Sequence, residues 1–306
     1  MTQRALDAAL DTLGWLDSAA ESLQANVKRV FDALGPSRRG VKNFLHGTWL
    51  GHPLHPVLTD IPLGAWTMTM VLDAMETRGA RAGLARAADA SLGVGLAGAV
   101  AAAATGLTDW SDTYARPRKI GLAHAGLNAG ATVLFAASYL LRVSGSRAAG
   151  RVLAATGYVA AVAGAYLGGE LVYQEHIGVN HSSGGKLPED FTPIIAEAEL
   201  SDGMLKRVTY EDIPLLLVKR GESIHALVET CGHLGGPLTE GKLDGDTVVC
   251  PWHGSRFDLS SGAVVEGPSA FPQPCFEVRT REGQVEVRAP TQHRGSYRLA
   301  SAPRRA

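Results

Sequence analysis

Four long apolar stretches occupy much of the N-terminal half of the chain, at about 56–76, 87–109, 121–142 and 151–173. An α-helix of about 20 residues crosses the hydrocarbon core of a bilayer, and each stretch reaches roughly that length. Glycine and alanine recur in all four, which is typical of transmembrane helices that pack closely together. The pattern predicts an all-α transmembrane four-helix bundle, with a buried soluble helical bundle as the alternative.

Ahead of these stretches, residues 3–34 carry apolar side chains near helical spacing: Leu6, Leu10, Leu13, Leu16, Leu23, Val27, Val30 and Leu34. This periodicity predicts an amphipathic helix. Such a helix could lie on the membrane surface, contact a second copy of the chain, or pack on its own protein.

After about residue 186, short apolar runs such as LLLVKRGESIHALVET and CFEVRTREGQVEVRA alternate with Gly-containing turns. These runs predict short antiparallel strands. The expected chain is therefore multidomain, with an all-β sandwich after the helices. Its predicted segments are an N-terminal helix and linker at 1–44, a transmembrane domain at 45–180, a linker at 181–191, a β-domain at 192–290 and a basic tail at 291–306.

Charge and cysteine content narrow the function classes. The 306 residues carry a net charge of -1, so nothing indicates a nucleic-acid partner. Three cysteines are too few for a disulfide framework. The N-terminus shows no signal-peptide pattern, and basic residues are nearly balanced between the two predicted membrane faces, so the positive-inside rule does not decide orientation. Four crossings place both termini on one side, which we expect to be the cytoplasm.

One of the two predicted membrane faces collects nine ionisable residues: His46, His52, His55, Asp60, Asp109, His124, Glu170, His176 and His181. Ionisable residues in or near transmembrane segments are costly and usually functional. His52, His55 and His124 could form a second metal site, for haem b or another metal, and the carboxylates could handle protons for a quinol. The alternative is that these side chains cap helix ends at the interface.

Two short motifs in the β-half mix cysteine with histidine. They are CGHLGGPL, with Cys231 and His233, and CPWHGSRFD, with Cys250 and His253. Each loop offers one thiolate and one imidazole, whereas zinc fingers usually pair cysteine with cysteine and histidine with histidine. A zinc site remains the competing prediction.

The two motifs, together with the later SGAVVEGPSAFPQP, resemble the Rieske family over about residues 190–290. The resemblance implies a 2Fe–2S cluster, with Cys231 and Cys250 on one iron and His233 and His253 on the other. It also implies that the two loops lie at the tip of the sandwich, where electrons pass. Cys275 falls outside both loops and is expected to be a strand residue.

Four neighbours of the predicted ligands bear on the redox potential. Rieske proteins of quinol-oxidising complexes have a disulfide between the loops, where this chain has Leu234 or Gly235 in the first loop and Trp252 in the second. They also have a tyrosine that donates a hydrogen bond near a ligand sulfur, where this chain has Phe257, while Ser255 matches a serine that bonds a bridging sulfide. Fewer hydrogen bonds to sulfur lower the potential. We therefore expect a value in the lower part of the Rieske range, as in ferredoxins of aromatic-ring dioxygenases.

The phrase GHPLHPVLTDIPLGAW, with the later TGLTDW, LAHAGLN and GGELVY, resembles a family of uncharacterised four-helix bacterial membrane proteins over about residues 45–180. Its mark is a His-Pro-x-His-Pro motif at the start of the first helix. This resemblance implies architecture and no activity.

The sequence therefore predicts a membrane-anchored electron carrier. Its expected partners are a soluble reductase or oxygenase, membrane lipid, and a redox centre or quinol at the membrane face. One alternative is an oxygenase component that uses a metal held by the membrane histidines. Rieske oxygenases bind a mononuclear iron in a later domain, whereas only His293 follows His253 here. Another alternative is a redox sensor, in which the cluster alters the membrane domain.

Overall fold

The computed structural model describes residue 12 and residues 14–76, 82–182 and 187–289. The chain divides into two compact units. One holds the helices up to Ile177, and the other holds the segment 47–52 and the chain from Gly178 onward. Arg78, Arg81, Lys186, His293 and the predicted basic tail lie outside the described residues.

The helical unit contains six α-helices in the part of the chain that is described. They are α1 Trp15–Asp32, α2 Arg38–His46, α3 Leu54–Glu76, α4 Ala82–Trp110, α5 Ala115–Val143 and α6 Arg147–Tyr173. The last four cover the four predicted apolar stretches. α3 packs mainly on α4, and α5 packs mainly on α6.

Among the described residues, three helical segments are long and apolar enough to cross a membrane: Gly83–Trp110, Ala115–Val143 and Arg147–Tyr173. The helix α3 is not one of them, and polar residues such as Asp60, Thr67 and Thr69 interrupt its apolar sequence. The structure thus supports several crossings, and the predicted count of four stays a prediction.

In helix α6, small side chains face the other helices and large apolar side chains face outward, as in helices surrounded by lipid. Helix α6 buries a stripe of mostly small residues, namely Gly150, Ala154, Gly157, Ala161, Gly164 and Leu167. Its larger apolar side chains, such as Val152 and Val159, are exposed on the outside. A water-soluble bundle would bury its large apolar side chains, whereas helices in lipid approach one another through small residues.

Ion pairs join all four long helices at one end of this unit. The buried guanidinium of Arg142 on α5 donates to Asp73 on α3 at 2.9 Å and to Asp89 on α4 at 3.2 Å. Arg147 on α6 lies 2.8 Å from Asp89 and 3.0 Å from Glu76. Arg142 and Arg147, which the loop count assigned to orientation, are therefore bound to carboxylates of neighbouring helices.

The predicted amphipathic helix packs on its own protein over its described length. In α1 the apolar face buries Leu16, which clusters with Ile120 and Leu167 of α5 and α6. The Gln24 amide donates to the carbonyls of Trp110 and Thr113, at 3.0 Å each. α1 and α2 thus belong to the same compact unit as the four long helices. The alternative of self-packing accounts for the buried face of α1.

The second unit is built from ten short strands in the described residues: β1 Thr192–Ala196, β2 Leu205–Tyr210, β3 Ile213–Arg220, β4 Ser223–Val228, β5 Lys242–Asp244, β6 Thr247–Val249, β7 Arg256–Asp258, β8 Val264–Glu266, β9 Glu277–Arg281 and β10 Gln284–Arg288. They form three antiparallel sheets with orders β1-β10-β9, β2-β3-β4 and β5-β6-β7-β8. This is the predicted sandwich-like all-β architecture.

Burial of β3 on both of its faces explains why its sequence is continuously apolar. Successive side chains of a strand point to opposite faces. Leu215 and Leu217 enter one apolar cluster with β4, β9 and β10 neighbours. Leu216 and Val218 enter a second cluster, which also contains Cys231 and Cys250. Because β3 is buried on both faces, the predicted metal-binding cysteines rest on a packed core.

Candidate metal centre

Two loops at neighbouring strand ends carry the four predicted ligands. The first runs from the end of β4 to the start of β5 and contains Cys231 and His233. The second runs from the end of β6 to the start of β7 and contains Cys250 and His253. In the first loop the Cys231 amide donates to the Gly236 carbonyl at 2.9 Å, and in the second the Cys250 amide donates to the Ser255 carbonyl at 2.8 Å. These bonds close each motif into a compact turn.

The structure brings the four side chains together as two like pairs. The Cys231 and Cys250 side chains are hydrogen-bonded to each other and almost fully buried. The imidazole rings of His233 and His253 lie 5.0 Å apart between centroids, with their planes at 89°. Two imidazoles bound to one tetrahedral ion through bonds of about 2 Å have centroids about 5 Å apart. The two thiols thus form one pair and the two imidazoles another, as a cluster with two thiolates on one metal and two imidazoles on the other requires.

Hydrogen bonds prepare the cysteines for deprotonation. The pKa of Cys250 is lowered to about 7, because the Cys231 thiol donates to it and the Trp252 and His253 amides also face its sulfur. The pKa of Cys231 is raised, first by the hydrogen bond with Cys250 and then by burial. The two thiols thus differ in how easily they lose a proton, Cys250 being the easier of the two.

Ser255 connects the two loops through its hydroxyl. Its side chain hydrogen-bonds the Cys231 sulfur, and its oxygen accepts from the Ser269 amide at 3.0 Å. Ser255 and Phe257 are fully buried, Leu234 is half-buried, and Trp252 is exposed with its ring edge against His253. Phe257 packs in the same apolar cluster as the two cysteines.

Three glycines make room for the cysteines and their turns. A Cβ on Gly236 would lie 2.9 Å from the Cys250 sulfur and 3.1 Å from the Trp252 ring. Gly235 and Gly254 have φ values of 79° and 77°, a region that side-chain-bearing residues rarely adopt. The backbone therefore approaches the sulfurs more closely than alanine would allow.

Gln273 holds the first ligand loop, and the sequence analysis missed it. Its amide nitrogen donates to the carbonyls of Val228 and Thr230, at 2.6 and 2.7 Å, and its oxygen accepts from the Gly232 amide at 3.2 Å. Its side chain is 1% exposed. The His181 amide also donates to the Gly232 carbonyl, at 3.1 Å. His181, predicted at the membrane face, thus belongs to the β-unit.

The donor set fits a 2Fe–2S cluster better than zinc. Within the described residues, no three His, Cys, Asp or Glu side chains converge on a single point that could hold one ion. A zinc ion would need three or four ligands around one centre. A two-iron cluster distributes two thiolates and two imidazoles over two centres, and the observed pairs match that division.

The predicted second site is only partly assembled. The rings of His55 and His124 lie 6.3 Å apart between centroids, whereas His52 falls in the other compact unit. His46 instead pairs through Nδ1 with Asp109 at 2.7 Å, and Asp60 is exposed. The fold brings His55 and His124 together, and the set of three histidines stays a prediction.

Comparison with known families matches both halves of the chain. Residues 190–277 match the family described as Rieske [2Fe-2S] domain. Residues 51–181 match the family described as Predicted membrane protein (DUF2231). The expected resemblance of the C-terminal half and the expected membrane character of the N-terminal half are thus confirmed, while the specific His-Pro motif stays a prediction.

Individual relatives cover the β-unit. Ferredoxin CarAc from Metapseudomonas resinovorans is 35% identical over 95 residues, 31% of this chain and 89% of that protein. The ferredoxin component of biphenyl 2,3-dioxygenase from Rhodococcus jostii strain RHA1 is 29% identical over 96 residues, 31% of this chain and 90% of that protein. A solved complex of reduced oxygenase and oxidized ferredoxin in carbazole 1,9a-dioxygenase contains a chain 32% identical, with a TM-score of 0.31, over 33% of this chain and 95% of that one.

Proposed function

The chain belongs to the Rieske [2Fe-2S] domain family through residues 190–277, and on that premise we propose that it is a membrane-anchored carrier of single electrons. The observation that carries the proposal is the pairing of two buried thiols and two imidazoles in one β-unit, in the same chain as long apolar helices. Such a domain implies a 2Fe–2S cluster, which supplies one-electron chemistry when bound.

Each proposed ligand has a distinct task. The Cys231 and Cys250 thiolates would hold one iron, supported by the amides of His233, Trp252 and His253 that donate to their sulfurs. His233 and His253 would hold the other iron. Because Trp252 is exposed beside His253, a partner protein can approach the imidazole side of the centre, while the cysteines remain buried.

The helical unit would be the anchor, with all four long helices crossing the membrane. Beyond the three apolar spans, α3 presents Val57, Ile61, Met68 and Val71 on its exposed surface, as expected for a helix that faces lipid. Four crossings place the N-terminus and the β-unit on one side. We assign that side to the cytoplasm, where a soluble redox partner is available.

The partner would be a soluble reductase or oxygenase. The relatives at 35% and 29% identity are a ferredoxin and the ferredoxin component of a dioxygenase. The second end of the electron path would be a redox centre or quinol in the membrane. Stopped-flow reduction by a ferredoxin reductase, compared with reduction by a quinol, distinguishes the two as electron donors.

The test uses full-length protein purified in detergent. After reduction it should give the EPR signal of a mixed-ligand 2Fe–2S cluster, together with non-haem iron and acid-labile sulfide in equal amounts. Cys231→Ser should remove the signal, whereas the matched change at the third cysteine, Cys275→Ser, should leave it. Zinc in place of iron, or a signal that survives Cys231→Ser, would refute the proposal.

A further inference from the structure

We propose that His55 and His124 are the two axial ligands of a haem iron bound within the helical unit, an inference that deepens the proposed electron-carrier function. The two histidines lie on different helices, α3 and α5, yet their rings approach each other edge to face, 6.3 Å apart between centroids and at 84°. Two imidazoles that stand on opposite sides of one metal, with bonds of about 2 Å each, have centroids about 6 Å apart.

Both rings are held by backbone carbonyls of the other two helices. His55 Nδ1 lies 2.9 Å from the Ala102 carbonyl on α4, and His124 Nδ1 lies 2.8 Å from the Gly164 carbonyl on α6. A carbonyl can only accept, so each Nδ1 carries the hydrogen and each Nε2 keeps its lone pair. Metal-binding histidines are usually fixed by this kind of bond from the opposite ring nitrogen.

Glycines leave the space that the rings occupy. A Cβ on Gly106 of α4 would lie 2.7 Å from His55 Cε1, and a Cβ on Gly168 of α6 would lie 3.2 Å from His124 Cε1. The Asn128 amide donates to the His124 carbonyl at 2.9 Å and lies against its ring, in a space that Gly164 provides. All four long helices therefore contribute to the position of one histidine pair.

Two protein ligands are enough for a haem iron but too few for a bare metal ion. Across the described ranges, no third His, Cys, Asp or Glu completes a metal-binding group with this pair. A protein-bound zinc ion takes three or four protein ligands. Haem iron takes four bonds from its macrocycle and needs only axial ligands from the protein, so two histidines on facing helices are sufficient.

The experiment measures haem in the full-length protein produced with ample haem and purified in detergent. We expect haem in amounts equal to the protein, with the spectrum and EPR signal of low-spin iron between two imidazoles. His55→Leu and His124→Leu should each lose haem while retaining the 2Fe–2S signal of the β-unit. They should also retain the helical far-UV circular dichroism, which reports folding of the helical unit. His225→Leu, the same change at a histidine of β4 that neither proposed site uses, should keep both centres.

A rescue variant and four possible results distinguish failure of the haem proposal from failure of the proposed electron-carrier function. If a leucine variant does not fold, His55→Gly with added imidazole should restore haem binding, because the free ligand fills the vacated position. Protein with an intact 2Fe–2S signal that binds no added haem would overturn this inference and leave the proposed function standing. Binding of zinc but not haem, or retention of the haem spectrum in His124→Leu, would overturn it equally. Haem without a 2Fe–2S signal would instead refute the proposed function.

Discussion

Replacing Gln273 with leucine should loosen the first ligand loop and release the cluster at lower temperature. The Gln273 amide is the shared partner of the Val228 and Thr230 carbonyls and of the Gly232 amide, in a site where its side chain is 1% exposed. Leucine has similar volume but no polar group. Three backbone groups beside the ligands would lose this partner while remaining largely buried.

The magnitude follows from the cost of unsatisfied groups. Leaving a buried donor or acceptor without a partner costs about 1–3 kcal/mol. Three such groups, partly relieved by water that enters at the loop, give a loss of about 3–4 kcal/mol in the free energy of unfolding, near the upper range for single substitutions. For a domain of this size, about 1 kcal/mol shifts the midpoint by roughly 4–8 °C. We therefore expect the midpoint of cluster loss to fall by roughly 12–32 °C.

The assay follows visible cluster absorbance during heating of the full-length protein in detergent. The control is Gln284→Leu, the same chemical change at an exposed residue of β10, which should leave the midpoint nearly unchanged. If Gln273→Leu behaved like this control, the three hydrogen bonds would not hold the loop, and the structural reasoning for the site would be wrong.

Three further substitutions test the environment of the cysteines. Phe257→Tyr places a hydroxyl beside the sulfurs, and a hydrogen bond of about 1 kcal/mol to the reduced cluster should raise its potential by about 50 mV in voltammetry. No rise would mean that the hydroxyl does not reach a sulfur. Gly236→Ala should abolish cluster assembly, measured as non-haem iron per protein, because its Cβ would meet the Cys250 sulfur at 2.9 Å. The control Gly64→Ala, on α3 with open space around the added Cβ, should assemble normally. Asp258→Ala should lower the urea midpoint of the β-unit at pH 7, because hydrogen bonds from the following serines lower the pKa of Asp258. A carboxylate with a lowered pKa stabilises the fold above its unfolded pKa of about 4 and loses that effect as the pH falls through the folded value, so the difference from wild type should shrink in acid. A difference that did not change with pH would contradict this.

Local patterns in the sequence predicted most of the fold. The apolar run of β3 and the Cys-x-His and Cys-x-x-His spacings are properties of a few consecutive residues, so the sequence carries them directly. The helix bounds were less well predicted. The third apolar stretch was expected from about residue 121, whereas α5 begins at Ala115, because its first turns carry Arg116, Arg118 and Lys119. Hydropathy identifies the lipid-facing part of a helix and misses its charged end.

Long-range polar contacts could not be predicted in the same way. Gln273 lies 41 to 45 positions from its three partners, and one glutamine in a proline-rich segment carries no signal of what it will meet. The same holds for the carbonyls of Ala102 and Gly164 that orient the two membrane histidines. The predicted topology collected ionisable residues at one membrane face, but only packing shows that the rings of His55 and His124 approach each other.

The hydrogen bonds of Gln273 to the first ligand loop raise the question of which side of the membrane holds the β-unit. The three cysteines are free, and a disulfide between the ligand loops would be reduced in the cytoplasm. The Gln273 amide holds the loop through hydrogen bonds that do not depend on the thiol redox state. A loop fixed in this way can keep its geometry on either side of the membrane, so the side has to be measured directly. Reporter fusions at the C-terminus decide the point: fluorescence of a cytoplasmic reporter is expected, and activity of a periplasmic phosphatase reporter would place the β-unit on the opposite side.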